Sequence, residues 1–462
     1  MHYLSLPLVL ACFAFLAGLL PGLRFGGPPL VPALGAAVAL LAAYAHAPQR
    51  VGPRDRFVPA ALLAAFVLAG AALGAGGRRG VEADCRLLVP EGARLVMRGV
   101  LAANAQPTVR GGVLRGARVP LEVEELRGGE GAVPGCGGEV RVRLPRDAAP
   151  MPAGTKVEVS GTWARFPAPE GPGAWPRNPA WAGTLEAREV AVHSPPRMGA
   201  HPLLTLRGRT EAHLHRVFPR HGALADALLL GRREGLDREL SDRFAKAGLV
   251  HLMAISGTHV ALLAGALLVL GAILRQPRAR VTWATIALVA AYLALIGAPA
   301  SAMRAGIMVA LGLAASMLQR PTAALAIVAA SALPILAWDP RAVLDPGFQL
   351  SYAGVLGILL LRGAMLKRVP GRWRDRPAAR WTVESLVVSL AAFVATAPIT
   401  AFHFGQVAPV SILANLPAIP LTSLALVGIG ISALVEPLVP PLGRMFADGT
   451  GLALDLLDCV AR

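Results

Sequence analysis

Long apolar runs separated by short basic turns dominate this chain, and one polar interval interrupts them. Residues 3–20, 28–46 and 57–75 read as three spans, each near the ~18 apolar residues that a membrane crossing needs. The first run lacks a basic n-region and two more follow it, so it is expected to be retained rather than cleaved. From Arg78 to about Pro196 the text turns polar, rich in Gly and Pro, with apolar residues at every second position. Residues 94–101, 114–126, 139–144, 156–166 and 184–192 are the strand candidates there. Residues 201–246 alternate Arg with apolar positions and read as amphipathic helices lying at the outer membrane surface. Further spans follow at 249–274, 281–297, 301–318, 322–338, 347–361, 383–402 and 410–435, with one more largely apolar segment at 443–460.

The pattern predicts a polytopic α-helical membrane protein with an inserted small all-β, OB-like extracytoplasmic domain. Its divisions are 1–77 (three spans), 78–200 (β domain), 201–248 (interfacial helices) and 249–462 (the main membrane domain). Composition agrees: 55% of residues are hydrophobic and 16% charged, against about a quarter charged in ordinary soluble domains. Five strands with long connections suit a closed OB-type barrel, although the alternation alone also permits other small β domains.

Charge orients the helices. Arg50, Arg54 and Arg56 mark the second loop as cytoplasmic, which places the N-terminus inside and the β domain outside. Later loops alternate accordingly: Arg275, Arg278 and Arg280 fall inside, as do Arg320 and the 362–380 loop with its six Arg and Lys367 against Asp375. The formal net charge of +17 is therefore mostly a topology signal rather than a nucleic-acid footprint. Within 85–192 there are 14 basic and 11 acidic residues, a net of +3. Trp163, Phe166, Trp175 and Trp181 there either stack bases or fill the barrel. Cys85 and Cys136 share this exported domain, so a Cys85–Cys136 disulfide is expected, with two free thiols as the alternative. His213-Leu-His215 begins like a metallo-hydrolase motif, but Val217 and Phe218 stand where acid and imidazole ligands are needed. No metal or cofactor is expected.

Chemistry concentrates in Gly248–Gly265, GLVHLMAISGTHVALLAG. Polar side chains at membrane depth line cavities or mark function. In one continuous helix His251, Thr258 and His259 would share a face with Ser256 at its edge, while Gly257 permits a break or a close backbone approach. Arg304 lies in an apolar run; it either pairs with Asp345, Asp226 or Glu384, or faces a wet path. Gln349, Ser351 and Asn415 are polar in apolar surroundings, and Pro417 and Pro420 are expected to interrupt the helix beside Asn415. The candidate path residues are thus His251, Ser256, Gly257, His259, Arg304, Gln349 and Asn415. Ser256 and His259 also allow an intramembrane hydrolase, and the spans allow a small-solute transporter.

Residues 227–260, ALLLGRREGLDRELSDRFAKAGLVHLMAISGTHV, resemble the signature of the ComEC-type competence family, inner-membrane channels for imported DNA. Met303-Arg304-Ala305-Gly306 with Met308, Asp345-Pro-Gly-Phe-Gln-Leu-Ser351 and Ala414-Asn-Leu-Pro-Ala-Ile-Pro420 resemble later family stretches in the same order. The resemblance covers about 200–435; Thr258 departs from it, where an apolar residue is usual. It implies an OB-type β domain and transport of single-stranded DNA across the bacterial inner membrane during natural transformation. It implies as partners single-stranded DNA and the lipid bilayer, with a separate nuclease, a DNA receptor and a cytoplasmic translocase. Family members often carry a C-terminal metallo-β-lactamase-like domain. None stands in this chain, so no nuclease or other enzyme activity is expected of it; either the sequence is truncated, as its abrupt ending suggests, or another protein supplies that domain.

Overall fold

The computed structural model describes residues 6–462 apart from 26–28, 37–56, 83–88, 106–107, 111–112, 129–130, 134–137, 146, 149, 166–182, 196–200, 234, 254, 320–322 and 375–376. Cys85 and Cys136, Phe166, Trp175, Trp181 and the loop carrying Arg50, Arg54 and Arg56 lie outside the described residues. In chain order the helices and strands are α1 (Leu6–Phe25), α2 (Phe57–Glu82), β1 (Arg94–Leu101), β2 (Thr108–Arg110), β3 (Val113–Arg115), β4 (Arg118–Gly128), β5 (Gly131–Val133), β6 (Gly138–Arg143), β7 (Lys156–Arg165) and β8 (Gly183–Ser194). The helices α3 (Pro202–Val217), α4 (Gly222–Leu230), α5 (Arg238–Lys246), α6 (Gly257–Ile273), α7 (Arg278–Ile296), α8 (Ala300–Met317) and α9 (Ala324–Trp338) follow. The chain closes with α10 (Pro346–Arg368), α11 (Gly371–Arg374), α12 (Pro377–Phe404), α13 (Ser411–Val435) and α14 (Pro440–Ala461). Among the described residues α7, α10, α12 and α13 are long and apolar enough to cross a membrane.

The chain divides into two compact units, residues 1–89 with 166–182 and 307–349, and the remainder. In the first, α1 and α2 mate backbone to backbone. A Cβ at Gly18 would stand 1.7 Å from the Val67 carbonyl oxygen, and one at Gly70 2.1 Å from that of Phe15. Gly22 and Gly74, four residues on, meet Ala71 and Leu19 in the same way. Helices in lipid gain little from the hydrophobic effect, so close van der Waals approach through small residues is what associates them.

In the second unit the β domain is a five-strand closed barrel. The hydrogen-bonded order is β1-β7-β8-β6-β4 and back to β1, with β6 and β8 parallel and the other pairs antiparallel. Curling so few strands needs bulges, and they occur at Arg98/Gly99 and Ser160/Gly161. A Cβ at Gly99 or Gly161 would fall 2.2 or 2.3 Å from the partner strand's Glu122 or Glu186 oxygen. Alternation along β7 turns Val157, Val159 and Trp163 inward against Met97, Leu121, Val142 and Leu185. Trp163 is therefore core, not a base-stacking platform. The expected 114–126 strand divides into β3 and β4 because Gly116 passes against the Leu144 carbonyl.

The helices after the barrel pack against the last helices of the chain. The apolar faces of α3, α4 and α5 (Leu214, Leu224, Leu228, Phe244) pack on α13 and α14 through Ala418, Ala425, Ile429, Leu454 and Leu457. Leu203 and Leu206 of α3 stay exposed, while α4 is buried almost throughout. α10 runs seven residues past the expected end at Leu361, through Gly363, since Ala, Met, Leu, Arg and Lys are good helix formers and no proline stands before Pro370. α13 continues through Pro417 and Pro420, which were expected to interrupt it. The two prolines instead leave the carbonyls of Leu413 and Leu416 without their in-helix donors.

Candidate functional site

The apolar stretch 249–274 is not one helix. α5 ends at Gly248, whose φ of +71° is left-handed; a Cβ there would also stand 2.6 Å from Ser411 Cβ. A single 3-10 turn covers Val250–Leu252, and Ser256 is extended before α6 starts at Gly257. Ser301 Oγ, from α8, donates to the Ile255 carbonyl at 2.7 Å and pins the unwound piece. Polar or irregular backbone at membrane depth survives only when buried in protein or facing a cavity.

Ser256 caps α6 with His259 at the third helical position, where a capping box usually has Glu or Gln. The Ser256 backbone N–H donates to His259 Nδ1 at 3.2 Å, and Ser256 Oγ lies 3.0 Å from the same nitrogen. A nitrogen that accepts from a backbone N–H carries no proton, so this pattern assigns the imidazole proton to Nε2 and makes the serine hydroxyl the donor. Nε2 is fully buried and has no hydrogen-bond partner among the described residues. It belongs to a cavity of about 110 Å³ whose polar lining is His251, Ser256, Thr258, His259, Thr422 and Ser423. Thr422 Oγ1 is likewise buried and without a partner. Two turns earlier on α13, on the same face, Asn415 Oδ1 is in the same condition.

The sequence-predicted residues divide accordingly. Ser256, His259 and His251 share the cavity; His251 sits in the 3-10 turn, exposed at the protein surface, with Nδ1 3.1 Å from the Gly248 carbonyl. Gly257 is exposed, and a Cβ there would meet Ala305 Cβ at an ordinary 3.7 Å, so the close approach belongs to Gly248 instead. Arg304 is buried in the first turns of α8 with its guanidinium over the Tyr352 ring, 5.6 Å from the centroid. The three carboxylates considered for it have partners of their own. Glu384 bridges Arg362 and Arg380, Asp226 meets His215, and Asp345 accepts from the Phe348 N–H. Gln349 belongs to the first unit and donates to the Val343 carbonyl at 2.9 Å. Thr422 and Ser423 were missed; the signal available was the seven-residue step from Asn415 to Thr422 along an apolar helix.

His213 and His215 point to different elements, as their two-residue spacing on a helix requires. His213 Nε2 lies 3.1 Å from the Ala433 carbonyl, and His215 Nε2 2.5 Å from Asp226 Oδ2. For the hydrolase reading, Ser256 and His259 are within reach, yet Nδ1 is shared with the backbone amide and no described residue orients the ring through Nε2.

Comparison with known proteins bears on the same half of the molecule. The sequence profile of the family described as Competence protein matches residues 228–462. ComE operon protein 3 of Bacillus subtilis (strain 168) is 28% identical over 255 residues, covering 55% of this chain and 32% of that protein. The chain thus spans about a third of the length of this curated relative. No solved structure matches. The matched region holds the broken segment, the cavity and the helices that enclose it, and on that match the chain belongs to the Competence protein family.

Proposed function

We propose that this protein carries single-stranded DNA across the bacterial inner membrane during DNA uptake. The observation that carries the reading is the small, mostly apolar cavity at the Ser256–His259 break, which lies within the family match and into which a few hydroxyl and imidazole groups are set among apolar helices. Neutral donors of this kind interact with phosphodiester oxygens without the tight hold of a basic cluster, which suits passage rather than storage. In this reading Ser256, His259, Thr422 and Asn415 line the path, and Arg304 supplies a single cation near it.

The N-terminus is cytoplasmic and the barrel extracytoplasmic, on the strength of the basic loops. The barrel is of the OB type, a reading supported by its strand order: numbering the five barrel strands along the chain gives 1-2-3-5-4, with the third and fifth parallel. No catalytic step is assigned to the residues described; a DNA receptor and a cytoplasmic translocase act with the protein. The test is uptake of end-labelled duplex DNA by cells carrying His259→Leu, with membrane abundance measured in parallel. The reading expects abundance to hold while nuclease-protected intracellular strand falls at least about tenfold, about 1.4 kcal/mol. Unchanged import would contradict it.

The 3.0 Å contact between Ser256 Oγ and His259 Nδ1 keeps a hydrolase as the second reading. A nucleophile cannot be replaced by alanine, nor a general base by glutamine. Transport therefore expects Ser256→Ala and His259→Gln to retain import; hydrolysis expects both to abolish function at normal abundance.

A further inference from the structure

Outside the cavity, Glu211, His215 and Asp226 gather at the turn between α3 and α4. Glu211 and His215 are four apart on α3 and so share a face; the turn through Phe218–His221 brings α4 back to place Asp226 opposite them. One ligand atom from each lies within 4.8 Å of the others, the spread of a single coordination shell with donors ~2.0–2.2 Å from a metal. Asp226 is only 4% exposed, in a place where a carboxylate needs a counter-charge. Glu211 Oε2 is fully buried with no hydrogen-bond donor among the described residues. Burial, and then the charge of Asp226, push the Glu211 carboxyl up to about 7, while the Asp226 hydrogen bond raises His215.

The surroundings hold these groups in place. The His215 ring lies against Gly222, where a Cβ would stand 3.0 Å from the ring Cγ and Nδ1, so a larger residue there would push the ring by a few tenths of an ångström. Asn104, in the segment after β1, donates to the Gly208 carbonyl at 3.0 Å and accepts from the Ala153 N–H at 2.8 Å, tying α3 to the barrel. A Cβ at Gly208 would strike the Asn104 side chain at 2.8 Å. Arg232, the nearest cation, is bound to the Ala102 carbonyl.

We propose that Glu211, His215 and Asp226 form a divalent transition-metal site that clamps the α3–α4 turn beneath the barrel. Two carboxylates and one imidazole suit Zn²⁺ or Mn²⁺ rather than Mg²⁺, which keeps to oxygen donors and waters. The ion takes the position of the proton now shared between His215 and Asp226 and gives the buried Glu211 oxygen the partner it lacks. His215 is 44% exposed along its side chain, so the site has an entry from solvent and room for a water as a further ligand. The role is structural: it fixes the joint between the barrel and the helices bearing the cavity.

The experiment uses the full chain in detergent, purified without a polyhistidine tag and stripped with chelator. Co²⁺ is followed by its visible d–d absorption and Zn²⁺ by calorimetry. One ion per chain is expected, with affinity lowered about tenfold or more in both Glu211→Gln and His215→Ala, each checked for an unchanged elution profile. His221→Ala, which removes a histidine paired with Asp455 outside the trio, is expected to bind like the parent. Absence of stoichiometric binding would overturn the proposal. So would binding that survives both Glu211→Gln and His215→Ala, or that is lost in His221→Ala.

Discussion

The barrel and the helical core of the second unit differ in how much polarity they bury. The barrel interior is apolar (Met97, Leu121, Val142, Val159, Leu185), and its charges stay outside in pairs such as Arg98–Glu158 and Arg143–Glu186. The helical core buries Thr285, His259, Arg304, Thr422, Ser432 and Thr450. Even there the hydroxyls divide. Thr285 and Thr450 return their protons to the Val281 and Phe446 carbonyls of their own helices, both at 2.7 Å. Thr422 Oγ1 and His259 Nε2 have no such partner and share one cavity. Leaving a buried donor or acceptor unmade costs about 1–3 kcal/mol. Ser432 Oγ and, in the barrel, Trp163 Nε1 are buried in the same condition, so what sets Thr422 and His259 apart is that both line one cavity. The barrel reads as scaffold, the cavity as site.

The largest effect is expected from Trp163→Ala, which empties the centre of the barrel. Loss of a buried aromatic costs about 3–5 kcal/mol, so the 90–195 region should become protease-sensitive; continued resistance would show that the barrel is held by something other than its core. Next comes Gly248→Ala, which combines a left-handed backbone with the 2.6 Å contact to Ser411. The backbone alone costs about 1–2 kcal/mol, and membrane abundance should fall. Gly257→Ala, with its 3.7 Å contact, should be tolerated; equal abundance of the two would remove the distinction drawn between these glycines. Smaller still is the pair Thr422→Val and Thr450→Val. Thr450→Val gives up a helix bond worth roughly 0.5–1.5 kcal/mol and should leave import intact. Thr422→Val gives up none and should keep thermal stability in detergent while lowering import. Reversed outcomes would make Thr422 the structural residue.

Much of this was legible in the chain, for physical reasons that can be named. β1, β6, β7 and β8 fall within two residues of the expected strands because one face is buried and the period of two is strict. The broken segment showed itself as polar residues in an apolar run, and β2 and β5 escaped because three-residue strands carry too little alternation to read. Pro417 and Pro420 misled, since a helix walled by neighbours tolerates a lost N–H that an isolated one does not. Gly18-x-x-x-Gly22 and Gly70-x-x-x-Gly74 were readable as helix-mating surfaces but say nothing of partner until both helices are seen. Thr422 was readable only as a seven-residue step from Asn415, and the Glu211–His215–Asp226 trio could not be read, because it is completed by a residue from another helix and only tertiary packing assigns it.

The central claim is that the Ser256–His259 cavity lies on the route of the imported strand. It is tested most directly by placing a thiol at Thr422→Cys, in a chain whose Cys12 and Cys459 are replaced by alanine, and importing DNA whose backbone carries iodoacetamide groups, which alkylate a thiol with loss of iodide. A thiol at Leu424→Cys, 62% exposed on the same helix, is the control. The account predicts a covalent adduct with single-stranded DNA at position 422 during active uptake and none at 424. Import at the normal rate with no adduct at 422, or equal adducts at both positions, would contradict it.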